Sequence, residues 1–290
     1  MNLPDIELEE AYIKTNGTLL HTVLSGPRGG RPVILLHGFP EFWRGWVKQI
    51  PALASAGYRV IVPDQRGYNL SDKPKGIKSY RMKELVNDII GLADALGYEK
   101  VNLVGHDWGA AVAWTLAIWY PERSHRLGIL NVPHPAVMSR FLLHDLEQLR
   151  RSWYIFLFQL PWLPEGGMRA QDWRGAMRAL RGSGKVHTFS DEDVEKYKEA
   201  WSQPGAITSM INWYRAAARY PSGWMKDQRV HVPTLMLWGK NDVALTHSMA
   251  QPSIDLCDDG RLVFFEQATH WVQHEEAEAV NRYLVDFFST

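Results

Sequence analysis

In the stretch Leu103–Ala111, LVGHDWGAA, two glycines bracket Asp107 with the spacing Gly-x-(nucleophile)-x-Gly. Gly105 and Gly109 suit a turn in which backbones approach too closely for side chains, and Ala110 and Ala111 let a following helix start near the sheet. Where such turns usually carry serine, this one carries a carboxylate. A serine hydroxyl needs a base before it attacks, whereas an aspartate of pKa about 4 is already ionised at neutral pH. A carboxylate can attack an electrophilic sp3 carbon and leave an ester on the protein. That chemistry suits epoxides and alkyl halides, and suits amides poorly. The turn also sets Asp107 at a helix N-terminus, where the dipole favours an anion. A plain N-cap aspartate is the other use of that position.

An ester has to be hydrolysed, which requires a base and an oxyanion site. EQATHWVQHE places His270 just after the last apolar run, and LWGKNDVAL places Asp242 just after the run before it. His270 would activate water, and Asp242 would hold the imidazole and stabilise its charged form. LNVPHP, past the strand ending near Asn131, has no carboxylate. A lone loop histidine is more often structural; the chain order nucleophile, acid, histidine is what favours catalysis here. LLHGFPEFW follows an early strand, so the amides of Phe39 and Trp108 could together receive the oxyanion. His37 and His106 read as groups that shape turns, and Pro63–Pro74 as a structural loop.

These residues have to be brought together by the elements between them. PVILLHG (Pro32–Gly38), YRVIVPD (Tyr58–Asp64), VNLVGH (Val101–His106), RLGILNV (Arg126–Val132), TLMLWG (Thr234–Gly239) and RLVFFE (Arg261–Glu266) read as buried strands. Such runs, apolar on both faces, are what a parallel sheet requires. Helical patterns cover Met82–Leu96, Ala110–Tyr120 and about Glu275–Phe288, and Glu9–Ser25 with Asn16-Gly17 reads as a hairpin. The sum is a doubly wound α/β sheet with an antiparallel edge. Between Ala136 and about Gln228 the alternation stops, and only helical pieces rich in aromatics remain. Ser190 is a fair N-cap, and Pro204-Gly205 separates two helices. The expected organisation is a core over 1–135 and 229–290, with an all-helical insertion over 136–228 above the carboxyl ends of the strands.

Composition closes off other classes. Lysine plus arginine and aspartate plus glutamate both number 32, so nothing in the net charge suggests nucleic acid or an acidic membrane surface as partner. The single cysteine, Cys257, cannot form an internal disulfide or a Cys-x-x-Cys centre. MNLPDIELEE lacks a signal-peptide pattern, and YIFLFQLPWLP is too short and interrupted to span a bilayer, so a cytoplasmic protein is expected.

Taken together, HGFPE, DQRGYNLSDKP, GHDWGA, NWYR and THWVQHE resemble the α/β-hydrolase-fold epoxide hydrolases, from about Gly17 to the C-terminus. The resemblance implies an α/β-hydrolase core with a helical cap whose two tyrosines hydrogen-bond the epoxide oxygen. It points to Tyr154 in WYIFLFQLP and Tyr214 in NWYR. A phenol of pKa about 10 stays protonated at neutral pH and can meet the alkoxide as the ring opens. Read by spacing alone, Tyr214 is equally a core residue beside Ile207, Met210 and Ile211, and Tyr154 one cap aromatic among many. Thr269 and Asn69 stand where the family usually has glycine. The nearest other resemblance is to haloalkane dehalogenases, in which Trp108 would donate to a halide; Phe39 stands where many of those enzymes have a second, asparagine donor. A fluoroacetate-type dehalogenase would be expected to carry arginines after the nucleophile, and DWGAAVAW has none. A catalytically inactive binding protein of the same fold would have an eroded set of residues, and all five are present. Trp43, Trp108, Trp153, Phe158, Trp162 and Trp213 suggest an aromatic cavity for a lipophilic epoxide. Water is the only co-substrate the scheme needs, and no metal or organic cofactor is expected.

Overall fold

The computed structural model describes residues 7–221 and 227–289. Met1–Ile6, Thr290 and residues 222–226, within the expected helical insertion, lie outside the described residues. Eight strands form one sheet: β1 (Leu8–Thr15), β2 (Thr18–Ser25), β3 (Arg31–Leu36), β4 (Tyr58–Pro63), β5 (Val101–His106), β6 (Ser124–Leu130), β7 (Thr234–Gly239) and β8 (Gly260–Phe265). Their order is β1-β2-β4-β3-β5-β6-β7-β8. β1 and β2 pair antiparallel, β2 pairs antiparallel with β4, and the remaining neighbours are parallel. Burial follows position. Every residue of β4, β5 and β7 is buried, as strands covered on both faces must be, while edge strand β1 alternates between intermediate and exposed positions.

The first hairpin turns through Asn16 (φ 39°) and Gly17 (φ 73°), the two left-handed residues that a tight two-residue loop requires. Twelve α-helices are assigned among the described residues: α1 (Ile50–Ser55), α2 (Met82–Ala95), α3 (Trp108–Trp119), α4 (Pro135–His144), α5 (Leu146–Arg151), α6 (Trp153–Leu157), α7 (Leu163–Arg181), α8 (Asp191–Trp201), α9 (Ala206–Arg219), α10 (Ala250–Ile254), α11 (Val272–Glu275) and α12 (Ala277–Ser289). Alternate strand residues face opposite layers. Val33, Leu35, Val60 and Val62 pack with Leu53 of α1 and Leu284 and Phe288 of α12. Ile34, Leu36 and Ile61 pack with Ile89 of α2 and Ala113 of α3. Helix α3 starts two residues before the expected Ala110, at Trp108 itself, so the helix begins at the turn that carries Asp107.

Between β6 and β7 the described chain is helical, α4 through α9. Ser190 caps α8 in a reciprocal box with Asp193, and Gly205 (φ 81°) opens α9 after Pro204. Helix α7 is broken at Ala170–Trp173, where Gln171, Asp172 and Trp173 adopt left-handed φ of 51°, 54° and 63°. Indole donors bind the helical layer to core carbonyls: Trp201 Nε1 donates to Pro40 O at 2.6 Å, and Trp213 Nε1 to Arg66 O at 3.0 Å.

The Pro63–Pro74 loop is structural, as its composition suggests. Asp64 accepts from the His21 ring at 2.7 Å, the Trp43 amide at 2.9 Å and Asn69 Nδ2 at 2.7 Å. Asn69 takes φ 38° in place of a glycine, a conformation asparagine tolerates. Arg66 grips Asp88 of α2 with two hydrogen bonds, Nε to Oδ2 at 2.7 Å and Nη2 to Oδ1 at 2.6 Å, both side chains being nearly inaccessible. Replacing Asp88 with alanine leaves that guanidinium buried without its partner, so Asp88→Ala is expected to lose about 3–5 kcal/mol. A urea titration followed by tryptophan fluorescence would show this as a lower midpoint at unchanged slope.

Candidate active site

Four of the candidates lie past the carboxyl end of a strand: Phe39 after β3, Asp107 after β5, Asp242 after β7 and His270 after β8. That edge is where open α/β sheets bind their ligands. The turn after β5 holds Asp107 at φ 49°, ψ −125°, a strained setting for a residue with a Cβ. A Cβ on Gly109 would collide with the carbonyl of Leu36, and one on Gly38 with the side chain of Asp107 itself. The two glycines therefore let β3, the nucleophile turn and the HGFP loop pass within contact distance of one another.

Asp107 stands at the N-cap position of α3, but its side chain makes no capping hydrogen bond. Its Oδ1 instead accepts from the Phe39 amide at 2.6 Å, and its Oδ2 lies 3.6 Å from His270 Nε2. The peptide between Phe39 and Pro40 is cis. The Trp108 amide, in the first turn of α3, has no intrahelical acceptor and completes the pair of candidate oxyanion donors. The Asp107 side chain retains 17 % exposure. Burial pushes its carboxyl up, but the hydrogen bond and charge of His270 and the Phe39 amide outweigh that and bring it below the usual range.

His270 sits between two carboxylates. Its Nδ1 donates to Asp242 Oδ2 at 2.7 Å while Nε2 faces Asp107. Burial would lower the imidazole pKa, yet Asp242 and Asp107 together lift it to about 10, so the free protein holds an imidazolium at neutral pH. Asp242 is fully saturated: Oδ1 accepts from the amides of Ala244 at 2.8 Å and Leu245 at 2.9 Å, and Oδ2 also from Asn131 Nδ2 at 2.9 Å. Burial raises its carboxyl, and His270 with these donors brings it down.

Asn131 is a site residue that sequence reasoning missed. It follows β6 in a left-handed conformation (φ 51°), and its Oδ1 accepts from the Gly239 amide at 2.8 Å. The strand end that lacks a carboxylate thus carries the amide that orients the carboxylate of the next strand. A polar residue just past a buried apolar run was the available signal.

Glu41 was missed too. Buried behind the HGFP turn, it accepts from Tyr197 of α8 at 2.8 Å and from the His274 ring at 2.7 Å, with His106 Nδ1 at 3.4 Å. Burial pushes Glu41 up, but His274 and His106 hold it far below the normal range. His106 in turn meets the carbonyl of His270 at 2.8 Å through Nε2. His37 is fully buried and accepts the Gln65 amide at 3.0 Å. Both histidines shape loops, in keeping with their placement in the sequence.

Tyr154 of α6 and Tyr214 of α9 come together, ring centroids 5.9 Å apart. Phe158 stacks edge-on with both, at 5.9 and 4.9 Å, and Trp108 with Tyr214 at 4.9 Å. Burial and then the negative charge of Asp107 raise both phenols above the normal range. The aromatic lining is narrower than the sequence suggests. Trp108 and Trp213 line a cavity of about 300 Å³ with Ile118, Trp119, Met138 and Tyr220, whereas Phe158, Asp107, His270, Tyr154 and Tyr214 do not line it. Trp43 belongs elsewhere, edge-on to Phe42 and beside the Arg44 guanidinium, and does not line that cavity. Trp153 and Trp162 are 63 % and 83 % exposed, so they face outward. Among the described residues, no group of histidine, cysteine and acidic side chains is spaced to hold a metal ion, and no helix is long and apolar enough to cross a membrane.

The profile of the alpha/beta hydrolase fold matches residues 31–277, which sets the class of this chain. The chain is 46% identical to the AB hydrolase superfamily protein YfhM of Bacillus subtilis over 95% of its own length and 96% of that protein's. It is 38% identical to human epoxide hydrolase 4, covering 95% of this chain and 77% of the relative. A crystal structure of Bacillus megaterium epoxide hydrolase with an inhibitor superposes with a TM-score of 0.90 at 30% identity, over 97% of this chain and 100% of that one. The chain belongs to the α/β-hydrolase-fold epoxide hydrolase family.

The imidazolium depends on both neighbouring carboxylates, so removing one charge has a defined sign. Asp107→Asn takes away an interaction that raises His270, and its pKa is expected to fall from about 10. Histidine side-chain NMR across pH 5–11 would report it; an unchanged His270 titration would mean that Asp107 does not act on the ring.

Proposed function

We propose that this protein hydrolyses lipophilic epoxides to vicinal diols through an ester formed on Asp107. The observation that carries the reading is geometric: the Asp107 carboxylate accepts from the Phe39 amide and faces the His270 ring, and the Tyr214 ring packs on Phe39 and Trp108 with the Tyr154 ring beside it. The names of the relatives support the substrate class. In this reading the core, 1–135 and 229–290, carries the nucleophile and the base, and a cap over 136–228 carries the acids.

Asp107 Oδ2 attacks an epoxide carbon while Oδ1 stays on the Phe39 amide. The C–O bond of the ring breaks, and Tyr154 or Tyr214 gives its proton to the leaving oxygen. Forming the ester neutralises Asp107, which removes one of the charges that keep the phenols weakly acidic and His270 protonated. The surplus proton of His270 returns through water to the phenolate. The neutral imidazole, held by Asp242, then takes a proton from a second water, and the resulting hydroxide adds to the ester carbonyl. Negative charge develops on Oδ1, toward the amides of Phe39 and Trp108. Collapse expels the diol oxygen, which recovers the proton from His270. The freed Asp107 acid then passes its own proton to His270, restoring the resting pair. No cofactor takes part.

A dehalogenase would share the first attack but would need donors for a halide. The Trp108 ring packs edge-on against Tyr214, and Phe39 contributes an amide and no side-chain donor. Epoxide opening is therefore the better fit.

His270→Gln should block the second step alone. Incubated with styrene oxide and weighed intact, it is expected to gain the full mass of the epoxide on Asp107, and adding Tyr154→Phe with Tyr214→Phe should abolish that gain while the fold persists. An adduct formed only with alkyl halides, lacking the halide mass, would favour the dehalogenase, and no adduct with either would end the covalent scheme.

A further inference from the structure

Two residues flank His270, and both are tied to the loop that joins α7 to α8. Glu275, at the end of α11, has a side chain only 1 % exposed. Its Oε1 accepts from the Thr269 hydroxyl at 2.7 Å, the Lys185 amide at 2.8 Å and the Thr188 hydroxyl at 3.0 Å. Its Oε2 accepts from the Thr269 amide at 2.8 Å, with Lys185 Nζ 3.9 Å away. On the other side of His270, Trp271 Nε1 donates to Ser183 Oγ at 2.9 Å. The Thr269 carbonyl is held by Asn131 Nδ2 at 3.3 Å.

We infer that Glu275 is a positioning residue for His270, fixing the histidine turn to the helical layer through Thr269 on one side and Lys185 and Thr188 on the other. Such a clamp acts on the step that needs the imidazole aimed at water. Ring opening uses Asp107 and the tyrosines and leaves His270 a bystander charge. A carboxylate is suited to the place because all four close donors point inward and Glu275 has only acceptors to offer them. Thr269, standing where the family resemblance leads one to expect glycine, supplies one of those donors from its side chain. A glycine there would leave Oε1 one donor short and the turn freer to move.

This inference rests on the ester scheme proposed above. Glu275→Gln keeps the shape but turns one acceptor into a donor, facing either the Thr269 amide or the three donors on Oε1. A misaimed base costs about tenfold to a hundredfold in rate. With ester formation as the first committed step, kcat/KM reports ring opening and kcat includes hydrolysis. In Glu275→Gln, kcat and KM are therefore expected to fall together at constant kcat/KM, with ester accumulating on Asp107 in rapid-quench mass spectra. Thr269→Val, which loses only the hydroxyl, should show the same split to a smaller degree, and Thr269→Ser should recover most of the loss. A drop in kcat/KM equal to that in kcat, or normal kcat in both Glu275→Gln and Thr269→Val, would overturn the positioning role. Should Glu275→Gln fail to fold, the threonine pair decides the matter alone. If His270→Gln accumulates ester and Glu275→Gln does not, the positioning role fails; if neither does, the ester scheme fails.

Discussion

The Phe39 amide on one oxygen of Asp107, at 2.6 Å, and the His270 imidazolium near the other, at 3.6 Å, hold a charge that burial opposes. Most of the site can be understood from that charge. Together with Asp242 it lifts His270 to about 10, and it adds to burial in raising the phenols of Tyr154 and Tyr214. In the proposed mechanism the first chemical step cancels it. The phenols then become stronger acids as the alkoxide appears, and the imidazole loses one of the partners that kept it from acting as a base. One event would thus prepare both later proton transfers, without any rearrangement of the chain.

The fold supplies the constraint that makes such a charge tolerable. Parallel strands end in a row, and the loops that leave them deliver the Phe39 amide, Asp107, Asp242 and His270 to one edge. The strained φ of Asp107 persists because the buried strand β5, the start of α3 and the close passage of Leu36 over Gly109 leave the turn little alternative. Second contacts secure the partners in turn: Asn131 and two amides hold Asp242, and His106 and Glu275 brace the chain on both sides of His270. The helical layer is joined to this framework by Trp201, Trp213 and Tyr197, each through a hydrogen bond to core atoms.

What was legible in the sequence is what local chemistry determines. Asn16-Gly17 has one easy backbone solution, and the buried strands have compositions that suit little else. That Asp107, Asp242 and His270 meet was legible because each follows a strand, so topology brings them together. Asn131, Glu41 and Glu275 were not, because their partners lie far away in sequence: Asn131 meets Asp242 and Glu41 meets Tyr197 and His274. The tryptophans show a second limit. Trp153 precedes Tyr154 on the five-residue α6, and a helix that short has no periodicity from which to tell its inner face from its outer one. Aromatic character alone placed Trp153 and Trp162 in the cavity; packing places them at the surface.

The account turns on Asp107 bonding to the substrate, and oxygen isotopes track that bond directly. In a single turnover with enzyme in excess in H₂¹⁸O, the diol oxygen delivered to carbon comes from the carboxylate, and the water oxygen remains behind on Asp107. The expected result is an unlabelled diol and a peptide containing Asp107 that is heavier by one ¹⁸O substitution. A labelled diol from the first turnover, with Asp107 unlabelled, would mean that water attacks the epoxide itself and that the buried carboxylate has another role.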